Sequence, residues 1–270
     1  MDGLSCHMPA SESRPALEVL REQISRLEGR SGRRRAILPF GLDEIDSRLP
    51  GGGLMLGALH EVAGGGCDAL HAAAAGQFAA GIAGRTRGKV LWIVSRQDVF
   101  APALMQAGLS GRRVIYVEAR SDVDVLACFE EGLRHGGLGA VVAEVARLSM
   151  TASRRLQLAA ETSGALGIAL RRWRRPTGAA DFGQSTASVT RWRVSVLPSV
   201  VLPVPGVGRP RWRLELIRAR AGDEAIFEVE ACDGQGRLAQ NGLVENRLAL
   251  PAVLADGSDQ EAVGRRRARA

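Results

Sequence analysis

Cysteine is scarce and scattered. Cys6, Cys67, Cys128 and Cys232 are the only four in 270 residues, and none forms a C-x-x-C pair. That spacing argues against a zinc ribbon and a disulfide-stapled scaffold, and it suits a chain working in a reducing cytosol. The amino terminus has no charged segment followed by an apolar core, so no export signal is read there. The alanine-rich run after Asp68 contains His71 and Gln77 and is too short and too weakly apolar to cross a bilayer. A cytoplasmic, membrane-free protein is expected. Ser95 and Ser153 have no link in sequence to His135, so a serine hydrolase is not supported. His60, Cys67 and His71 lack the spacing of a ligand set and read as structural filler, so neither a metal nor a cofactor is expected.

What is present is enough apolar material for a core, 46% of residues, in a length that suits one large domain or two small ones. The formal charge of +7 comes from arginine and favours polyanions or acidic partners without choosing between them.

Residues 54–84, LMLGALHEVAGGGCDALHAAAAGQFAAGIAG, have the form of a strand, a glycine turn and a helix. Folds that hold nucleotides place phosphate at such a turn. The phosphate loop G-x-x-x-x-G-K-[S/T] requires backbone N–H groups around the phosphates, a lysine on the outer ones and a hydroxyl on magnesium. Counting from Gly64, the second glycine position holds Ala69, the lysine position Leu70 and the hydroxyl position His71. Gly64, Gly65 and Gly66 keep the turn, and the chemistry is gone.

Residues 1–13 show no periodicity. Leu17, Leu20, Ile24 and Leu27 then recur at helical spacing and line one face of a short helix that needs a surface to lie on, in its own domain or on a partner. GRSGRRR ends it as a linker at residue 35. A domain over residues 36–250 and a polar, basic tail over 251–270 are expected to follow. Within the domain, strands are expected at 89–95, 113–117, 138–144 and 165–170, with helices near 102–108, 122–134 and 151–162. Such alternation gives a mostly parallel sheet covered by helices, and VLWIV and GAVVA suit strands buried on both faces.

LPFGLDEIDSRLPGGGLMLGALHEVAG carries Gly41, Leu42, Asp43, Ile45, Asp46, Leu49, Gly51 to Leu54, Gly57, Leu59, Glu61 and Gly64, and in this it resembles the opening of RecA-type recombination ATPases. The resemblance implies an α/β, RecA-like core with C-terminal antiparallel strands. It also locates two catalytic positions. The glutamate base that follows the second strand falls at Arg96, and an arginine cannot accept a proton. The magnesium-holding aspartate at the end of an apolar strand falls at Ala143. Glu144 is then expected to point away, although a one-residue shift of the alignment puts Glu144 at that position instead.

This opening, the absent lysine and the short leucine helix together resemble the ImuA family of bacterial inducible-mutagenesis proteins, over roughly residues 17–250. The resemblance implies a non-catalytic accessory factor of the DNA-damage (SOS) response. Its implied partners are ImuB, an inactive relative of Y-family polymerases, and an error-prone C-family polymerase in translesion synthesis, with RecA and a second copy of the chain as further candidates. Association with the nucleoid after damage is implied as well. Two other readings stay open: a divergent DNA-dependent ATPase, and a SulA-like inhibitor of cell division that targets FtsZ.

After residue 170 the sequence turns to RRWRRPTGAADF. Arg171, Arg172, Arg174 and Arg175 are candidates for phosphate contact, and Trp173 and Phe182 for base stacking, in weak, sequence-independent DNA binding; the alternative is a solvated loop. Two Arg-Trp-Arg units open the alternating segments RWRVSVLP and RWRLELIRAR. Period-two geometry sends Trp192 and Trp212 to the core and the arginines to the other face.

Overall fold

Glycine at 41 and aspartate at 46 shape the start of the described chain. Strand β1 (Ile37–Leu38) pairs antiparallel with β2 (Leu54–Met55), and the short helix α1 (Asp43–Asp46) lies between them. The Asp46 carboxylate accepts the backbone N–H groups of Phe40 (2.7 Å) and Gly41 (2.8 Å), with Gly41 at φ 81°, a conformation that favours glycine. Ile45 is thereby driven fully into the core. The structure, a computed structural model, describes residues 36–66, 68–173, 182–199, 205–220 and 222–240, with side chains in the helix at 68 described from His71 onward. The leader, the helix carrying Leu17, Leu20, Ile24 and Leu27, the GRSGRRR linker and the tail lie outside these residues.

The chain continues through β3 (Leu59–Gly64), α2 (Asp68–Gly84), β4 (Lys89–Val94), α3 (Ala101–Gln106), a 3-10 turn at Gly111–Arg113, β5 (Val114–Glu118), α4 (Asp122–Arg134), β6 (Leu138–Val145), α5 (Met150–Ser163) and β7 (Leu166–Arg171). It ends in β8 (Thr190–Leu197), β9 (Arg211–Ala219), β10 (Ala225–Glu230) and β11 (Ala239–Gln240). Nine strands form one sheet in the order β11-β10-β9-β8-β3-β7-β6-β4-β5. From β8 to β5 every neighbour is parallel, and from β8 out to β11 every neighbour is antiparallel. The strands and helices expected between residues 89 and 170 are all found, with α4 at the expected residues and the others displaced by one or two.

Both faces of the parallel part are covered, which is why its strands read as continuous apolar runs. On one face Val62, Val90, Trp92, Val142, Ile168 and Leu170 pack under α2. On the other, Leu59, Ile93, Val141 and Ala169 pack under Phe129 and Leu133 of α4 and Leu156 of α5. Ser121 and Ser149 cap α4 and α5 by accepting the N–H of Asp124 and of Ala152, each at 3.2 Å. Helix α2 is alanine and glycine on most sides because it is enclosed: a Cβ on Gly81 would stand 2.4 Å from Cys232 Sγ, and one on Gly84 2.5 Å from the Gly108 carbonyl oxygen. Trp192 and Trp212 are buried at 0% and 1% exposure, as the alternation implied, in an aromatic cluster with Phe40 and Phe78.

Candidate functional site

The glycine turn between β3 and α2 is drawn into the sheet. The β3–β8 register runs on to Gly64 opposite Val194, and one residue later the Gly65 N–H donates to the Val194 carbonyl (2.8 Å). Gly65 is pressed so close to β8 that a Cβ there would stand 1.8 Å from Ser195 Oγ. His71, at the hydroxyl position, accepts the Val196 N–H on Nδ1 (3.1 Å), and it fills the inside of the turn against Gly64 and Gly66. A phosphate nest needs N–H groups pointing into a shared hollow; here one is spent on the ladder and an imidazole borders the hollow. The side chains of Ala69 and Leu70, and all of Cys67, lie outside the described residues.

The strand ends require a correction. Ala143 is buried in the cluster beneath α4 and α5, on the face away from α2, so it does not look toward the glycine turn. Alternation then puts Glu144, and not Ala143, on the α2 face with Val142. Glu144 is 3% exposed and lines a pocket of about 290 Å³ with Ala72 and Gly76 of α2, Trp92, Phe100 and Arg172. Trp92 Nε1 has no acceptor among the described residues. Arg172 spans the pocket wall, donating to Glu144 (3.2 Å) and through two nitrogens to Asp98 (2.8 and 2.9 Å), while Ser95 N–H and Oγ reach Glu144 at 3.4 Å. Burial pushes the Glu144 carboxyl up and Arg172 opposes it; Arg172 holds Asp98 below the usual carboxylate range. Arg96 is exposed on the loop after β4.

The arginine cluster also falls differently from the expectation of DNA contact. Arg171 has no exposed side chain; it pairs with the equally buried Glu61 (2.9 Å) and donates to the Ala146 carbonyl (3.0 Å), so it is not placed to meet phosphate. Arg172 is committed to the two carboxylates. Trp173 is 8% exposed, donates to the same Ala146 carbonyl (3.1 Å) and packs edge-on to the buried Phe182, so neither ring presents a face to a base. Arg174 and Arg175 lie outside the described residues. Glu61 also takes Arg191 (3.2 Å), Ser188 (2.7 Å) and the Thr186 hydroxyl. This network tying three strands to residues 186 and 188 was not read from sequence. The signal was an acid in mid-strand in LHEVAG, which burial tolerates only with partners. The arginines opposite Trp192 and Trp212 are largely paired: Arg193 with Glu215 (3.0 Å), and Arg211 and Arg213 with Glu228 (3.2 Å each).

His60 is saturated, its Nδ1 with Thr190 Oγ1 (2.7 Å) and its Nε2 with the Met55 carbonyl (2.9 Å), and burial lowers its pKa to about 4. Among the described residues no group of three or more His, Cys, Asp or Glu is arranged to hold a metal, and no helix is long and apolar enough to cross a membrane.

Protein ImuA of Caulobacter vibrioides, in two strains, is 42% identical to this chain over 205 residues, which cover 72% of this chain and 83% of that protein. The chain belongs to the ImuA family. The fold of this ImuA-family member is RecA-like: it matches the crystal structure of the RadB recombinase with a TM-score of 0.51 at 17% identity, covering 76% of this chain and all of that one. No family model matches the chain. The family that the opening motif, the absent lysine and the leucine helix resembled is thus the one shown.

Proposed function

We propose that this ImuA-family chain is a non-catalytic accessory factor in DNA-damage-induced mutagenesis. It acts in translesion synthesis through contacts with an ImuB-like protein and an error-prone C-family polymerase rather than by turning over ATP. The observation that carries this reading is the state of the glycine turn: the Gly65 N–H is bonded to Val194, and His71 is bonded to Val196 and stands where a magnesium-binding hydroxyl is required. The residues present do not fit Mg-ATP. The lysine position is Leu70, the base position is Arg96, and the acid on the right face, Glu144, is already neutralised by the Arg172 guanidinium. Phosphoryl transfer needs charge neutralisation at the transferred group and a positioned base or water, and neither is supplied. A fold kept without its chemistry keeps surfaces, so the function is assigned to association.

The test is co-purification of the tagged full chain from DNA-damaged cells, with bound proteins identified. The expected result is an ImuB-like protein and a C-family polymerase in stoichiometric amounts. Recovery of FtsZ instead would favour the cell-division reading, and purification free of either polymerase relative would refute the proposal.

A further inference from the structure

With Arg171 and Arg172 committed to carboxylates, uncompensated positive charge among the described residues gathers at the opposite end of the sheet. Three loops meet at the amino-terminal edge of the parallel strands. Lys89 opens β4 and stands opposite Leu138 of β6, and Val90 stands opposite Val114 of β5. Gly88 lies against Gly137 and Gly139, whose nearest atoms would be 3.9 and 3.6 Å from a Cβ placed on it. Arg87, Lys89, Arg112, Arg113, Arg134 and His135 are thereby brought to one edge.

Arg134 is paired with Glu130, but the charges of Arg87, Lys89, Arg112 and Arg113 are not cancelled by a bonded carboxylate among the described residues. Arg113 donates to the carbonyls of Gly88 (2.7 Å), Gly84 (2.6 Å) and Thr86 (2.7 Å) and to the Thr86 hydroxyl (3.5 Å), which fixes the loop without neutralising the guanidinium. Lys89, the chain's single lysine, donates to the Arg112 carbonyl (2.8 Å) and keeps N–H groups free. Arg87, Arg112 and His135 are exposed, with no carboxylate bonded to them among the described residues. The acids at this end include Glu130, shared by Arg134 and Arg155, Glu131, and Glu161 in the last turn of α5 before β7. At the carboxyl edge Asp98 and Glu144 hold Arg172, and the exposed Arg96, Arg120 and Arg147 are interspersed with Glu118, Asp122 and Asp124.

We propose that this amino-terminal edge binds the phosphodiester backbone of duplex DNA. Arginine forks suit phosphate oxygens, and the low profile of Gly136 and Gly137 lets a backbone come close. Apart from Met105 of α3, whose Sδ lies beside Gly111, these loops show no exposed large apolar side chain; Ile115 and Tyr116 lie further along β5. Acidic protein partners are normally anchored by such side chains, which favours a polyanion read by charge alone. Single strands are held largely by aromatic stacking, and the edge carries no exposed ring, which favours the duplex.

The test is fluorescence anisotropy of the full chain with a labelled duplex of about 20 base pairs, between about 50 and 200 mM salt. Arg87 and Arg112 make no side-chain hydrogen bond within the described residues, so the Arg87→Ala/Arg112→Ala variant is expected to fold, checked by circular dichroism. Its affinity is expected to fall at every salt concentration, and the slope of log affinity against log salt to become shallower by about 1.8, about 0.9 for each phosphate lost. Arg48→Ala/Arg220→Ala removes the same charge from exposed positions elsewhere and is expected to keep the wild-type slope. An unchanged slope in the first variant, an equal loss in the second, or no duplex binding by the wild type overturns the proposal. Tight binding of poly-glutamate without duplex binding also overturns it and assigns the edge to an acidic protein.

Discussion

Replacing Arg171 with methionine removes the one guanidinium that is wholly enclosed with the Glu61 carboxylate, both side chains at 0% exposure and 2.9 Å apart. Glu61 would keep Arg191 at 3.2 Å and the Ser188 hydroxyl at 2.7 Å, but its second oxygen would lose its ionic partner, and the Ala146 carbonyl would lose a donor. Breaking a buried pair from one side costs about 3–5 kcal/mol where the remaining charge is left alone; Glu61 keeps Arg191, so the lower end, about 3 kcal/mol, is expected. With a urea m-value of about 3 kcal/mol/M for a domain of this size, the midpoint would fall by about 1 M. Glu61→Gln in the same background leaves the buried Arg191 without a carboxylate and is expected to deepen the loss, with a coupling of about 1–3 kcal/mol in the double-mutant cycle. Urea denaturation followed by Trp fluorescence reads all three variants. The rival expectation, that Arg171 faces DNA, predicts the reverse pattern: stability nearly unchanged and a shallower salt slope in DNA binding. A folded Arg171→Met variant that loses less than about 1 kcal/mol would refute the buried-network account.

The remaining predictions concern the glycine turn and His60. Gly65→Ala forces a Cβ onto Ser195 and is expected to destabilise by about 1–3 kcal/mol, with Ser195→Gly relieving much of it; thermal melts of the two single variants and the double variant check this, and no relief would place the strain elsewhere. His60 is held neutral, its pKa lowered from 6.5 to about 4, so between those values the unfolded chain binds the extra proton and stability rises with pH. The protein is expected to lose on the order of 3 kcal/mol as pH falls from 6.5 to 4, through this residue alone. Urea midpoints across that window should show a flatter profile in His60→Gln, and parallel profiles would contradict the assignment.

Much of the fold was legible because it rests on local pattern. VLWIV and GAVVA are unbroken apolar runs and became strands covered on both faces, and the helix expected at 122–134 is found at those residues. Trp192 and Trp212 were placed in the core because a two-residue period leaves them one face. The site was less legible. Whether Ala143 or Glu144 faces α2 is set by the absolute register of β6, and alternation fixes only that they face opposite ways. The arginine cluster misled for a related reason: the partner of Arg171 is Glu61, 110 residues earlier, and that of Arg172 is Asp98, 74 residues earlier. A run of like charges carries no sign of distant acids, so it read as a free basic surface when half of it is internal. His71 was read only as a lost hydroxyl; its bond to Val196 depends on β8 lying beside β3, a parallel pairing across more than a hundred residues.

The central claim, a RecA-like core whose nucleotide position is built into the sheet, is tested most directly by calorimetric titration of Mg-ATP into the purified full-length chain. The account predicts no heat of binding above dilution for the wild type, and no ATP turnover by Ala69→Gly/Leu70→Lys/His71→Thr, since Arg96 supplies no base. Micromolar binding by the wild type, or ATP hydrolysis that follows its elution peak, would contradict it.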